Sequence, residues 1–166
     1  KVYVEATYKS LNKLNEELCG DRVEIVKNDD SYFVVLSDGL VSGVKANILS
    51  TLTSKIISTM MFQGASIEDT VETIVHTLPV CSVRKVAYST FMILQISYDG
   101  NAYLVEFDSP GCIFVRDGRL MNIEYNYRSI AGKEIKEAHF KVKPDDFMML
   151  LSDGVVYAGI GELMNL

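Results

Sequence analysis

Apolar residues change their period several times along the chain, and each change marks an element. Residues 2 to 18 read as extended and then helical, with Leu11, Leu14 and Leu18 at helical spacing. From Arg22 the period shortens: Val23 and Ile25, then Tyr32 to Leu36, predict two strands joined by the polar turn Asn28-Asp29-Asp30. Beyond Asp38-Gly39, Ile48, Leu49, Leu52, Ile56, Ile57 and Met60 recur at three- and four-residue steps, predicting a helix from about Lys45 to Phe62 with one wide apolar stripe. Its methionines are expected in the core. Gly64 ends it, Ser66-Ile67-Glu68-Asp69 caps a second helix to about Leu78, and Pro79 closes that one.

The rest reads as β. Val86 to Ile96 and Ala102 to Phe107 pair across Asp99-Gly100, and Cys112 to Val115 and Leu120 to Ile123 across Asp117-Gly118. Phe140 to Val142 and Phe147 to Leu151 flank the turn Pro144-Asp145-Asp146. Two helices inserted after a first strand pair, then a run of hairpins, predict one α+β domain with mainly antiparallel sheets.

Composition narrows the chemistry. The chain has 166 residues, 48% hydrophobic and 23% charged, the balance of a single globular domain. Its net charge is −6 and its basic residues are scattered, which argues against a nucleic-acid partner. Handling phosphate would then require local positive charge, which a bound cation supplies. No apolar run is long enough for a membrane span, and the first residues lack a signal-peptide core. Cys19, Cys81 and Cys112, odd in number and widely spaced, suggest reduced thiols and a cytoplasmic setting.

One phrase occurs twice. Val34-Val35-Leu36-Ser37-Asp38-Gly39 is echoed by Met149-Leu150-Leu151-Ser152-Asp153-Gly154. In each, an apolar strand, expected to be buried on both faces, ends in a carboxylate and a glycine. Such a carboxylate is unfavourable unless a cation or hydrogen bonds compensate it. The following glycine allows close approach and offers a carbonyl oxygen, a donor set suited to Mg²⁺ or Mn²⁺. Asp-Gly can equally be a plain turn, as at Asp99 and Asp117, but those lack the preceding strand and the serine. Cys19-Gly20-Asp21 adds a third carboxylate ahead of the first strand.

Gly20-Asp21, Asp38-Gly39-Leu40-Val41-Ser42-Gly43-Val44-Lys45-Ala46 and Ser152-Asp153-Gly154-Val155 resemble the metal-binding blocks of the type 2C-like, metal-dependent Ser/Thr protein phosphatases. The nearest branch is that of stage II sporulation protein E and the bacterial stress-response phosphatases. The resemblance implies a sandwich of two antiparallel sheets flanked by helices, with a binuclear Mn²⁺ or Mg²⁺ site at one end. It implies Asp38 as the bridging carboxylate, Gly39 as a carbonyl ligand, Asp153 as a terminal ligand and Asp21 at the outer edge. It also implies attack of a metal-activated water on a phosphoserine or phosphothreonine. Val41 stands where that branch has another glycine, and Tyr157 where an acidic residue is common. The branch's last metal aspartate follows the second Asp-Gly on a further strand, so a C-terminal element is expected beyond Leu166; the start without Met suggests trimming.

Two functions from different classes follow. The first is hydrolysis of phosphoserine or phosphothreonine on a bacterial signalling protein, by resemblance an anti-sigma-factor antagonist. The second is a catalytically silent domain of the same fold that scaffolds a partner. In either case the helices over residues 45–78, joined directly to the Asp38 loop, are the expected surface for a dimer or regulatory partner.

Overall fold

The computed structural model describes residues 1–10, 19–39, 43–78 and 89–156. The elements are β1 (Asp21–Lys27), β2 (Ser31–Gly39), α1 (Gly43–Phe62), α2 (Ile67–Thr77), β3 (Ser89–Ser97), β4 (Asn101–Phe107), β5 (Cys112–Arg116), β6 (Arg119–Leu120), β7 (Asn126–Ile130), β8 (Lys133–Lys141), β9 (Phe147–Leu150) and α3 (Asp153–Val156). They form a six-stranded antiparallel sheet, ordered β1-β2-β3-β4-β8-β7, and a three-stranded sheet, ordered β6-β5-β9. The α+β sandwich is as expected. The region expected to be helical, 11–18, lies outside the described residues, as do Leu40, Val41, Ser42, Cys81 and Tyr157.

Strand alternation divides the interior into two cores. Phe33, Val35, Phe91, Ile93, Val105 and Phe107 face α1 and α2 and pack with Leu49, Ile57, Met61, Val71 and Ile74. Leu36, Met92, Leu94, Leu104 and Ala138 face the small sheet and meet Cys112, Tyr125, Met148 and Leu150. The Ser66 hydroxyl accepts from the Asp69 N–H at 3.1 Å, so the expected cap of α2 is present.

The buried face of α1 is not the apolar stripe that its spacing predicts. Ala46, Leu49, Ser50, Thr53, Ser54, Ile57, Ser58 and Met61 are buried, while Ile48 and Leu52 are 51% and 46% exposed. Close approach explains the choice. A Cβ at Gly39 would lie 2.5 Å from the Ala46 carbonyl oxygen, and the Ser37 hydroxyl donates to the Ser50 carbonyl at 2.6 Å. Small side chains let helix and strand come this near. Their hydroxyls donate to carbonyls of their own helix, Thr53 to Leu49 and Ser54 to Thr51, so burial leaves them satisfied.

Three expectations in the β region change. Leu120 to Ile123 was expected as a strand, but β6 stops at Leu120, with one further bond from the Met121 N–H to the Phe114 carbonyl. A β7–β8 hairpin turns at Ala131 and Gly132, both with positive φ (49° and 76°), and extends β8 well upstream of Phe140. β9 is not buried on both faces. Phe147 and Met149 are 52% and 39% exposed, and among the described residues β9 pairs only with β5.

Candidate metal centre

The β1–β2 register sets Asp21 directly opposite Asp38. The Gly39 N–H donates to the Gly20 carbonyl at 3.1 Å and fastens the two chain segments together at this end. Gly39 is therefore required by the approach of α1, and glycine before any ligand is considered. From the small sheet, the chain leaves β9 through Ser152 and enters the four-residue α3 at Asp153. The Ser152 hydroxyl donates to Asp21 Oδ2 at 2.6 Å, joining residues 131 positions apart.

Asp38 is 9% exposed. It lies within hydrogen-bonding reach of both Asp153 and Asp21. Burial first, then these two carboxylates, push its pKa up to about 8. Asp153 itself is exposed. All three expected carboxylates, with Gly39 beside them, thus meet at one end of the sandwich. Among the described residues, however, no three His, Cys, Asp or Glu side chains already stand as a cage round a common point. The donor set of three carboxylates, one of them held by a serine, with the Gly39 backbone beside them fits a hard divalent cation, which would supply positive charge next to Asp38. A recess of about 450 Å³ between Lys1, Lys27, Phe62 and Tyr98 lies at the opposite end of β1 and brings no such cluster.

In the sequence Ser37 and Ser152 stand out only as part of the repeat. The repeat of serine ahead of Asp-Gly was the available signal, and the structure gives each hydroxyl its own acceptor. Cys19 borders the site, where its Sγ accepts from the Asp21 N–H at 3.4 Å. Cys112 sits in the sandwich interior, where burial pushes its thiol up to about 12, so it is not poised as a nucleophile.

Residues 28–164 match the family model of stage II sporulation protein E (SpoIIE). The chain belongs to the SpoIIE family. Its fold matches the PP2C phosphatase domain with a fragment of the regulatory domain of SpoIIE from Bacillus subtilis, with a TM-score of 0.71 and 20% identity. That match covers 84% of this chain but 43% of the other, so the chain spans under half of that relative. RsbX in complex with magnesium matches with a TM-score of 0.67 and 19% identity, over 88% of this chain and 72% of that one. The RsbU and RsbW domains of a Mycobacterium tuberculosis protein match with a TM-score of 0.69 and 14% identity, over 84% and 40%. A comparison with curated proteins finds none that matches. The fold is that of the PP2C phosphatase domain of SpoIIE, and among the described residues no helix is long and apolar enough to cross a membrane.

Proposed function

We propose that this domain hydrolyses phosphoserine or phosphothreonine on a signalling protein, using Mn²⁺ or Mg²⁺ in a binuclear site on Asp21, Asp38, Asp153 and the Gly39 carbonyl. The observation that carries the reading is the meeting of buried Asp38 with the carboxylates of Asp21 and Asp153. Bound divalent ions would supply Lewis-acid charge at the phosphate and lower the pKa of water. The chain's own contribution is positional. β2 fixes Asp38 through the pairing of Asp38 with Asp21 and Thr90 on its two flanks. Ser152 orients Asp21 with a hydroxyl, and a hydrogen bond onto a ligand carboxylate of this kind sets the ligand's direction. Asp153, on the exposed side, leaves the site open toward solvent and a protein substrate.

The substrate in this reading is a small phosphorylated protein in a bacterial cytoplasmic signalling system, such as an anti-sigma-factor antagonist. Relatives that include SpoIIE and RsbU with RsbW support that class. The exposed ridge Val44, Ile48 and Leu52 on α1 supports a dimer or regulatory contact through residues 45–78.

A second reading, a silent domain that scaffolds a partner, is favoured by the lack of a preformed three-residue cage among the described residues. The test is hydrolysis of p-nitrophenyl phosphate and a phosphoserine peptide by the full-length protein with Mn²⁺, Mg²⁺ or a chelator. Turnover that needs the metal is expected. A folded protein with no turnover under any metal would leave the silent domain standing.

A further inference from the structure

Glu106 lies at the end of β4, in the row Leu36–Met92–Glu106–Lys136, while Asp38 and Thr90 belong to the next row outward. Glu106 and Asp38 therefore share the inter-sheet face and the same end of the sandwich, two strands and two residues apart. Strand spacing and rise make that about 12 Å. Glu106 is 1% exposed. Its Oε1 accepts from the Tyr125 hydroxyl at 2.9 Å and the Cys112 N–H bears on the same carboxylate, but its buried Oε2 has no partner of good hydrogen-bond geometry, and neither has the buried Ser109 hydroxyl nearby. Both residues line a recess of about 390 Å³ between the β4–β5 loop and the β7–β8 hairpin.

Two buried hydrogen-bonding groups left unpaired beside a cavity are unfavourable as they stand, and something with N–H donors would satisfy them. The lining carries three carboxylates (Glu106, Asp108 and Glu134) against two ammonium groups (Lys133 and Lys136). Lys136 is turned onto the Tyr125 and Tyr127 rings, at 5.6 and 6.0 Å, and bears on Glu106 through its charge rather than through a hydrogen bond. A guanidinium or ammonium group meets these requirements, since it brings several donors and no acceptor.

We infer that this recess receives an arginine or lysine side chain of the phosphorylated protein and so selects its sequence. The inference rests on the phosphatase reading, because the second anchor is the phosphate at Asp38. An extended segment advances about 3.3 Å per residue, so about 12 Å places the basic residue three or four positions from the phosphorylated one.

The test uses the full-length protein with Mn²⁺ and fluorescein-labelled peptides that carry a non-hydrolysable phosphonate analogue of phosphoserine. Arginine or glutamine is set three or four positions to either side, and affinity is read by anisotropy. At one of these positions the arginine peptide is expected to bind about tenfold tighter, the scale of one charge-assisted pair. That ratio should collapse toward one in Glu106→Gln and shrink in Ser109→Ala, with circular dichroism confirming both folds. Equal binding of arginine and glutamine peptides to the unmodified protein, or an arginine preference that survives in both variants, overturns the inference and leaves a recess that holds solvent. Hydrolysis of the corresponding phosphoserine peptide is followed separately. Its absence would count against the phosphatase reading and not against the recess, whose readout is binding.

Discussion

In Ser37-Asp38-Gly39 the serine hydroxyl reaches across to the Ser50 carbonyl of α1; in Ser152-Asp153-Gly154 it reaches across to the carboxylate of Asp21. The first copy stays inside a strand with neighbours on both sides, and Asp38 is 9% exposed. The second leaves an edge strand, and its Asp and Gly are exposed at the start of a short helix. The same three residues thus anchor a buried carboxylate in one place and present an exposed one in the other. A cation site benefits from both: the rigid member sets position, and the exposed member admits a ligand from solvent.

Substitution of the two aspartates would break this contrast most directly. In the full-length protein, Asp38→Asn is expected to lower Mn²⁺-dependent hydrolysis of p-nitrophenyl phosphate by at least about a hundredfold, the scale for one preorganised electrostatic group. Undiminished turnover would remove Asp38 from the site. The glycines give the next largest difference. Gly39→Ala places a methyl 2.5 Å from backbone that cannot yield, so a loss of about 3 kcal/mol is expected in urea unfolding. Gly154→Ala meets nothing nearer than the Ser152 hydroxyl at 4.0 Å and should change stability by less than about 0.5 kcal/mol. Equal losses would mean that the two copies share one packing environment after all.

These contrasts show which parts of the molecule were legible in sequence. The β1–β2 pair, the Asp99-Gly100 hairpin and the Ser66 cap were readable because local turn and capping chemistry decides them. The β7–β8 hairpin was not, because Lys133, Glu134, Lys136 and Glu137 on β8 mask with charge the alternation around Ile135 and Ala138. The buried face of α1 was misread because approach distance, not hydrophobicity, selects Ser50, Thr53 and Ser54. The three carboxylates were legible as candidates. The exposure of Asp153 was not, since an apolar run such as Phe147 to Leu150 looks the same at an edge as at the centre.

The two serines sharpen the comparison with smaller, oppositely divided effects. Ser37→Ala removes a buried hydrogen bond to α1 and should lower unfolding free energy by about 1 kcal/mol. Ser152→Ala should leave stability nearly unchanged but weaken Mn²⁺ binding about tenfold or more in a calorimetric titration, because Asp21 loses the bond that directs it. If Ser152→Ala lowers stability as much as Ser37→Ala and leaves Mn²⁺ affinity intact, Ser152 is a packing residue and Asp21 needs no director.

Glu106 supplies the control that separates burial from crowding, since it is as buried as Asp38 but has a tyrosine and a lysine for neighbours where Asp38 has two carboxylates. Burial raises its carboxyl above the ordinary 4.5, against smaller opposing effects of Tyr125, Lys136 and the Cys112 N–H. A raised acid binds its proton more tightly in the folded state, so its contribution to stability is full below the ordinary value and fades as pH rises through the raised one. Glu106→Gln keeps the shape and removes the charge. The variant should match the unmodified protein in urea unfolding near pH 4 and exceed it by about 1 kcal/mol near pH 8, the lower end of what an unsatisfied buried group costs. Because peptide and metal are absent from this measurement, it reads the buried carboxylate alone. A variant less stable at pH 8 than at pH 4, relative to the unmodified protein, would mean that ionised Glu106 is well solvated or paired, and the unpartnered Oε2 would then not be a source of instability.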